Sequence, residues 1–486
     1  MNDINILWLK RDLRLSDHPA LDAASKSDFL IIYIFEPSVS YNYDFDIRHW
    51  RFVYQSINEI ENRGARVHKV YGEAVDVFSS IINLYENVSI FSHRETGNSL
   101  TFERDIKLKK LFKKNNIRWK EFTPYGVMRG LSDRARWDHF WIKYVKTKIQ
   151  NSYSFCFLKF NTSLQADYNV PTDIQSMIKV IHPSQQLGGE KKSHESLDLF
   201  FFNKVDKYWG SLSYPEKSRY YTSRLSAHLA WGNITIRQIY QRCELERESL
   251  FAKKSLEQFM NRLKWHCHFI QKLESEPRLE FENIDSAFNG IRNKKNKVYI
   301  KAWKNGQTGF PLIDAAMRCV SETGFLNFRL RATVVSFLTH TLWQPWQSGS
   351  GHLARQFLDY EPGIHFAQFQ MQAGTVGINT LRIYNPVKQS IEYDKEAVFI
   401  KRWVPELRKL PIKYIHEPWS ITPMDELLYN FKAGTSYQAP IVDMETSHKY
   451  AREKLWSIKN SKESKQNSAQ IVSRHGRKRS SIRRRK

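Results

Sequence analysis

The sequence predicts an α/β domain with a doubly wound parallel sheet, followed by an all-α domain. Three observations lead to this fold class. The chain has 486 residues, which is more than one hydrophobic core usually fills. Apolar runs of strand length alternate with helical patterns over the first 125 or so residues. From residue 206 to about residue 460, amphipathic helical patterns dominate.

The first domain is assigned to residues 1–130, where the alternation is regular. Such alternation predicts a parallel sheet that binds ligands beyond the carboxyl ends of its strands. No Gly-rich fingerprint is present, so a dinucleotide-binding enzyme is not supported. The predicted strands are residues 4–9, 29–35, 66–71, 88–91 and 117–122, and the predicted helices lie around residues 49–62, 74–84 and 100–114.

Two further segments flank the helical domain, which is assigned to residues 206–460. Residues 131–205 are expected to connect the domains, because the periodicity fades and residues 182–193 have linker composition. Residues 461–486 are polar and then strongly basic, and they cannot bury enough apolar surface to fold alone. We expect this tail to be disordered, and it could bind nucleic acid, direct localisation or be passive.

The formal net charge of +25 indicates a polyanionic partner. Eight basic residues and no acidic residue lie between Arg474 and Lys486, which leaves +17 on the rest of the chain. Nucleic acid is therefore the first expected partner and an acidic lipid surface the second. No signal peptide is recognised, and the longest early apolar run, Phe29–Phe35, is too short to span a bilayer. We expect an intracellular protein of the cytoplasm, nucleoid or nucleus, and of the two polyanions we expect nucleic acid as the partner and not a membrane.

The cysteines do not predict a disulfide framework or a metal site. Cys156, Cys243, Cys267 and Cys319 are widely spaced, without a C-x-x-C pair, and are most simply reduced, buried thiols. His266 and His268 flank Cys267, but consecutive residues on a helix point to different faces. No metal site is predicted.

Several motifs carry more specific information. The string ILWLKRDLRLSDHPAL at residues 6–21 describes a strand, a charged loop and a helix that begins at Pro19, with Asp17 as its predicted cap. TSRLS at residues 222–226 precedes a helix, and its hydroxyls and amides suit phosphate binding, although N-capping explains them as well. Further strings are WKNGQTGFPLIDAAMR at 303–318, RLR at 329–331, FLDYE at 357–361, RIYNP at 382–386 and FIKRWVPEL at 399–407.

In this order and spacing, the motifs resemble those of the photolyase/cryptochrome family up to about Trp419. The resemblance implies that the helical domain binds FAD. It also allows a second antenna chromophore, of the folate or deazaflavin type, in the α/β domain. The activities that it implies are light-driven repair of UV-damaged DNA or light signalling.

The resemblance also implies a set of FAD-binding residues. Residues 222–226 would hold the pyrophosphate and ribityl chain, Arg331 and Asp359 would form a charged pair beside the ring, and Glu361 would lie near its polar edge. His365 would face flavin N5, where its charge could respond to pH near neutrality; a satisfied core histidine is the alternative. The full set is Tyr208, Thr222, Ser223, Arg224, Leu225, Ser226, Arg262, Trp265, His266, Phe269, Phe325, Phe328, Arg331, Asp359, Glu361 and His365.

Trp265 and His365 are the predicted catalytic residues. Trp265 matches a family tryptophan that stacks beside an extruded lesion, which recovers part of the unstacking energy. Arg329, Lys401 and Arg402 are the predicted DNA contacts, since basic side chains around the cavity suit phosphates.

The pattern departs from the family at two places. Arg262 stands where cyclobutane-dimer enzymes usually carry Glu, while Phe328 and Ala332 replace Asn and Met, or the two His residues of (6-4) photolyases. The electron path to the flavin is incomplete too. Trp346 matches its middle tryptophan, but Phe369 replaces the nearest one and Asn293 lies near the outer position. Trp346 and Trp343 are the predicted electron carriers, with Tyr360 and Tyr384 as other routes.

These observations lead to a DNA photolyase as the first hypothesis, expected to be a monomer. A cryptochrome, which would signal to a protein partner without repair, is the alternative that the altered lesion-reading residues favour. A flavin-free nucleic-acid-binding protein is a third interpretation, disfavoured by the retained FAD positions.

Overall fold

Five parallel strands form the sheet of the first domain in the computed structural model, which describes residues 3–149, 167–247 and 252–476. The spatial order β3-β2-β1-β4-β5 reverses direction at β1, as in doubly wound sheets. The strands are β1 Asp3–Leu9, β2 Phe29–Phe35, β3 Val67–Tyr71, β4 Asn87–His93 and β5 Arg118–Phe122. The predicted fold class is therefore confirmed, and each predicted strand lies within a few residues of the observed one.

Helices cover both faces of this sheet, which explains why β2 is buried along its whole length. One apolar cluster lies under α1 and α3, and a second lies under α4 and α5. The helices of this domain are α1 Pro19–Ala24, α2 Pro37–Ser40, α3 Ile47–Asn62, α4 Ala74–Leu84 and α5 Ser99–Lys114.

The predicted cap of α1 is wrong. His18 caps the helix, because its Nδ1 accepts a hydrogen bond from the backbone of Leu21. Asp17 has a left-handed backbone with φ of 52°, and its buried carboxylate accepts hydrogen bonds from Thr235 (2.6 Å) and Arg237 (3.0 Å). A charged pair buried between the two domains determines the position of Asp17, which local capping alone does not.

Among its described residues, 131–149 and 167–205, the connecting segment contains the helices α6 Trp137–Lys146, α7 Thr172–Lys179 and α8 Glu190–Asn203. Part of the expected linker is therefore packed structure. A Cβ atom at Gly188 would lie 2.2 Å from the carbonyl oxygen of Phe52, so only glycine lets the segment lie against α3. Glu190 then accepts hydrogen bonds from the backbone of Leu15 and Ser16 in the loop after β1.

The second half is helical, as expected from its periodicity. Two large apolar clusters form its interior. Its first helices are α9 Val205–Ser211, α10 Pro215–Tyr221, α11 Ser226–Ala230, α12 Ile236–Glu246, α13 Lys253–Ser275, α14 Lys297–Asn305, α15 Pro311–Thr323, α16 Phe328–Ser336 and α17 Gln347–Gln356. They are followed by α18 Pro362–Ala373, α19 Pro386–Tyr393, α20 Val398–Trp403, α21 Ile412–Ile415, α22 Pro423–Leu428, α23 Met444–Lys459 and α24 Lys462–His475, with a π-helical turn at Phe337–Thr341.

The expected disorder from residue 461 is wrong for α24. Ser464 and Asn467 donate hydrogen bonds to the buried carboxylate of Asp285, at 2.7 and 2.8 Å. Near the end of the helix, His475 contacts Glu276 at 2.5 Å. The segment does not need a core of its own, because it folds against polar groups of the helical domain. The basic residues 477–486 lie outside the described residues.

Cys243, Cys267 and Cys319 are buried free thiols, whereas Cys156 lies outside the described residues. Among the helices that the structure describes, none combines the length and the apolar character needed to cross a bilayer.

We predict that Asp17→Asn lowers the free energy of unfolding by about 3 kcal/mol, because it leaves the largely buried Arg237 without its carboxylate partner. Urea denaturation measures this change. Asp198→Asn, which alters an exposed pair with Arg242, serves as the control and should change stability by less than about 1 kcal/mol. Equal effects of the two substitutions would contradict the assignment.

Candidate functional site

A fixed ion pair lies at the centre of the predicted site. Arg331 extends from α16, and its Nη2 donates to both oxygens of Asp359 at 2.9 and 2.7 Å. Its Nε donates to the carbonyl of Leu326, and its guanidinium lies 3.9 Å from the ring centre of Phe357. The guanidinium therefore has one orientation, and the predicted pair is brought together.

Glu361, at the start of α18, adds a carboxyl group with one oxygen available. Its Oε2 accepts a hydrogen bond from Arg11 at 3.3 Å, whereas its buried Oε1 has no hydrogen-bond partner among the described residues. Burial, only partly offset by Arg11, raises the pKa of Glu361 to about 7. A buried, unpaired carboxyl oxygen is a polar atom that a bound ligand can satisfy.

Arg11 is a site residue that the sequence reasoning missed. It follows β1, and its Nη1 also donates to the carbonyl of Tyr360 at 3.2 Å while the guanidinium lies over the ring of Trp231. The signal was present in the first motif: a charged side chain after the strand at which a doubly wound sheet reverses its order. The α/β domain thus contributes directly to a site in the helical domain.

His365 is buried on α18, with its Nε2 2.9 Å from the carbonyl oxygen of Ser350. Because a carbonyl only accepts, Nε2 carries the proton and Nδ1 is the acceptor nitrogen of the neutral ring. Burial lowers the pKa of His365 to about 3, so the expectation that it titrates near neutrality is wrong in this environment. The rings of Tyr360 and Phe369 lie 5.1 and 4.7 Å from it.

The predicted phosphate-binding segment alternates between the surface and the core. Arg224 has a left-handed φ of 57°, and its guanidinium lies 3.5 Å from the ring centre of Phe325. Ser226 is exposed at the start of α11, and Thr222 is half-buried with its hydroxyl donating to Ser218. Leu225 lies inside an apolar cluster, so only its backbone could reach a ligand.

Two residues near this segment have well-defined surroundings. Ser223 accepts a long hydrogen bond, 3.4 Å, from the backbone of Leu225. Tyr208 is buried against the edges of Phe200 and Phe259, so its ring belongs to the core. Burial raises the pKa of Tyr208 to about 12.

One face of α13 carries the residues predicted to meet a substrate. Arg262, Trp265 and Phe269 are spaced by three and four residues and share this face. Trp265 is 49% exposed, with its ring 5.5 Å from that of Phe269. The exposed Arg262 lies 5.3 Å from the ring centre of Phe328, which is itself 41% exposed. These residues form an open aromatic and cationic surface, called the α13 face below.

His266 lies deeper on the same helix. Its ring packs edge-on against Tyr125, and its buried Nδ1 has no hydrogen-bond partner in the described part of the chain. Burial, opposed by the nearby Asp359, lowers the pKa of His266 to about 4. A neutral histidine with an open nitrogen therefore lies close enough to Asp359 for its charge to act on the ring.

The side chains predicted to contact DNA differ in whether they already bond to other residues of the protein. Arg329 donates to Gln389 and Ser213 at 3.1 and 3.2 Å, which anchors it beside the α13 face. Arg402 is exposed but pairs with Glu216 at 2.8 Å, and Lys401 is half-buried. Part of the predicted positive charge is therefore already compensated within the protein.

The two predicted electron carriers lie in different surroundings. Trp346 is buried, donates to Asn283 at 2.9 Å, and lies 6.4 Å from Phe366. Trp343 instead packs against Tyr450, with the guanidinium of Arg292 4.6 Å from its ring centre. A cation that close disfavours removal of an electron from Trp343.

The carboxyl end of the sheet is occupied by paired side chains. Arg104 binds Glu36 and Glu95 at 2.6 Å each, and Lys10 binds Asp105 at 2.8 Å. Nearby, Asp12 accepts from the ring nitrogens of His18 and His93, at 3.1 and 2.6 Å. The Nδ1 of His18 already accepts from Leu21, so its proton faces Asp12. The three side chains each offer a ligand atom, and these atoms lie within 4.8 Å of one another, so the trio could hold a metal ion, although no metal site is predicted from the sequence.

Comparison with known proteins links this geometry to a family. Residues 5–125 match the family described as DNA photolyase, and residues 259–457 match the family described as the FAD binding domain of DNA photolyase. A curated relative, the deoxyribodipyrimidine photo-lyase of Alkalihalophilus pseudofirmus, is 25% identical and is aligned over 93% of this chain and 97% of its own.

Solved structures of known proteins have a similar fold. A Synechocystis cryptochrome has a TM-score of 0.82 at 22% identity, with 93% of this chain and 99% of that chain covered, which shows the fold. An archaeal photolyase from Sulfolobus tokodaii, described with two FAD molecules, has a TM-score of 0.77 at 26% identity, with 93% of this chain and 100% of that chain covered. The chemistry of the residues fits FAD: the open Oε1 of Glu361, the open Nδ1 of His266 and the exposed Ser226 can each pair with a polar ligand atom.

We predict that Asp359→Ala lowers the FAD content of the purified protein, because Arg331 loses the carboxylate that fixes its orientation. The ratio of flavin to protein absorbance measures the effect. Asp198→Ala, at an exposed pair far along the chain, is the matched control and should retain FAD fully. Full retention by Asp359→Ala would show that the ion pair does not support the cofactor.

Proposed function

Because this chain belongs to the photolyase/cryptochrome family, we propose that it is a light-driven DNA photolyase that splits UV-induced pyrimidine dimers with an electron from reduced FAD. The observation that carries this proposal is the α13 face, where the half-exposed Trp265 lies beside Arg262 and Phe328. An exposed indole leaves a large apolar ring in contact with water, and an extruded base that stacks on the ring would cover this surface.

The residues proposed to hold FAD act through position and charge. The backbone and hydroxyl groups of residues 222–226, together with Arg224, would bind the negatively charged pyrophosphate. Arg331 would place a fixed positive charge beside the ring, which stabilises negative charge on it. His365, with Nδ1 as its acceptor, would receive a hydrogen bond at the ring. FAD supplies the light-driven electron transfer.

Arg262 can only donate hydrogen bonds to a lesion, whereas the Glu that cyclobutane-dimer enzymes usually carry at this position has a carboxylate. A guanidinium has five donors and no acceptor, so it reads carbonyl or phosphate oxygens and not N–H groups. Two pyrimidines joined in a dimer present carbonyl oxygens side by side, which matches the fork of an arginine. The ring of Phe328 supports the guanidinium from one side.

DNA is the proposed partner because the body of the protein is basic beyond its tail. Arg329, Lys401 and Arg402 would contact phosphates on the flanks of the lesion, and binding should weaken as salt rises. The expected location, cytoplasm, nucleoid or nucleus, follows from this partner. A monomer is sufficient, since one chain provides every residue of the proposed site.

A second chromophore in the α/β domain is part of the proposal. The Sulfolobus neighbour is described with a novel light-harvesting cofactor. A folate or deazaflavin would need to bind away from the carboxyl end of the sheet, where Arg104 and Lys10 pair with acidic side chains.

A cryptochrome function is the second candidate, favoured by the lesion-reading residues that this chain lacks. Ala332 is small and buried, and Phe328 offers no hydrogen bond to a base. Such a protein would transmit the redox state of its flavin to a protein partner.

Repair under blue light tests the proposal. Fully reduced protein is mixed with one oligonucleotide that carries a cyclobutane dimer and with another that carries a (6-4) product. We expect light-dependent restoration of the cyclobutane dimer, because its paired carbonyls match Arg262. Restoration of neither lesion by FAD-loaded protein would reject the photolyase and leave the cryptochrome.

We further predict that Trp265→Ala weakens binding to dimer-containing DNA by about 1–3 kcal/mol, the usual contribution of one stacked base. Fluorescence anisotropy with damaged and undamaged duplexes measures the difference. Trp209→Ala removes a comparably exposed indole from α9 and is the matched control. If both variants lose affinity equally, Trp265 makes no specific contact with the lesion.

A further inference from the structure

Tyr360 belongs to the FLDYE motif, and the proposed function gives it no role. Its neighbours Asp359 and Glu361 are proposed to flank the flavin, and its ring lies 5.1 Å from that of His365. The chain has Phe369 where the family places the tryptophan nearest the flavin, and a phenylalanine is far harder to oxidise than a tryptophan or tyrosine. Photoreduction of the bound FAD therefore needs another first donor.

The phenol of Tyr360 is bonded to a carboxylate. Its hydroxyl donates to Oδ2 of Asp44 at 2.6 Å, and both residues are buried. Asp44 is also held by Asn98 and Asn42, whose amides donate at 2.8 Å each. Among the described residues, no lysine or arginine forms an ion pair with Asp44, so the carboxylate can accept a proton from the phenol. Burial first, and Asp44 second, raise the pKa of Tyr360, so the phenol is protonated at rest.

The surroundings also require that the electron and the proton leave together. The guanidinium of Arg11 lies 6.0 Å from the ring centre of Tyr360, which disfavours a positively charged tyrosine radical. If the proton passes to Asp44 as the electron leaves, the ring stays neutral and this repulsion is avoided.

Three other buried oxidisable rings near the site lack such a base. The indole of Trp231 donates to the carbonyl of Leu358 and lies 5.0 Å from Arg11. Trp346 donates to the amide oxygen of Asn283, and Tyr125 donates to the carbonyl of Leu229. Carbonyl and amide oxygens do not take up a proton at neutral pH, whereas a carboxylate does.

We propose that Tyr360 is the immediate electron donor in photoreduction of the flavin and that Asp44 is its proton acceptor. One electron passes from the phenol to photoexcited oxidised FAD, and the O–H proton passes to the carboxylate of Asp44. The products are a neutral tyrosyl radical, a protonated Asp44 and FAD reduced by one electron. An added thiol then returns one electron to the radical, and Asp44 returns the proton. This inference depends on the proposed function in one respect only, which is that FAD binds at this site.

The test measures photoreduction of FAD-loaded protein without oxygen, with thiol present and no DNA. Tyr360→Phe keeps the ring but removes the O–H, and Asp44→Asn keeps the acceptor but removes the base. We expect each to slow photoreduction about tenfold or more, which corresponds to about 1.4 kcal/mol in the barrier. Tyr125→Phe, which removes an equally buried hydroxyl bonded only to a carbonyl, is the matched control and should react at the normal rate.

Spectroscopy provides the readout that a structural role would not change. Illuminated protein, freeze-trapped, should show the paramagnetic resonance spectrum of a tyrosyl radical, altered by ring-deuterated tyrosine and absent in Tyr360→Phe. The reaction should be slower in deuterium oxide for the unaltered protein but not for Asp44→Asn. FAD content and thermal unfolding of each variant establish that it is folded.

Normal photoreduction in Tyr360→Phe, with slow photoreduction in Trp346→Phe, would overturn the proposal and place the path through Trp346. Failure of the proposed function looks different. After chemical reduction, Tyr360→Phe should repair DNA as the unaltered protein does. Absence of repair in both proteins would reject the photolyase activity but would not contradict the proposed role of Tyr360 in photoreduction.

Discussion

The site depends on the loop that follows β1, because this loop buries charged side chains against the helical half. Arg11 reaches Glu361, and Asp17 pairs with Arg237. Asn233 donates to the carbonyl of Leu13 at 2.8 Å. A buried charge without its partner costs several kcal/mol, so separating the loop from the helical half would be costly. A Cβ atom at Gly232, whose φ is 70°, would lie 2.2 Å from the carbonyl of Arg11, so glycine permits the close approach.

This docking gives the helical domain groups that it could not supply itself. Arg11 donates a hydrogen bond to Glu361, and Asp44 accepts one from Tyr360. Burial also shifts the pKa values of two groups of the site: that of Glu361 rises to about 7, and that of His365 falls to about 3. The site thus combines a fixed cation at Arg331 with neutral or readily neutralised groups, an arrangement that suits a ligand whose charge changes with its redox state.

Much of the fold could be predicted from the sequence, because strand and helix periodicity are local properties. Every predicted strand, and the helices around residues 49–62, 74–84 and 100–114, correspond to observed elements. The errors lie where distant residues override local preference: Asp17 serves a tertiary ion pair in place of a helix cap, and α24 folds because Asp285 accepts its polar side chains. In both cases the interacting residues are far apart in sequence, so no local pattern could reveal the contact.

For the site, the order and spacing of the motifs were enough to indicate the family and its helical FAD-binding half, and their resemblance to the family motifs predicts roles for residues such as Arg331, Asp359 and Trp265. They did so because motif residues are close in sequence and each has a recognisable chemical type. Only the tertiary structure decided that Arg11 contacts Glu361 and that Asp44 accepts from Tyr360, since more than 300 residues separate the members of each pair. It also decided that His365 stays neutral, because a pKa depends on burial and on neighbours that fold into place, not on the residue type alone.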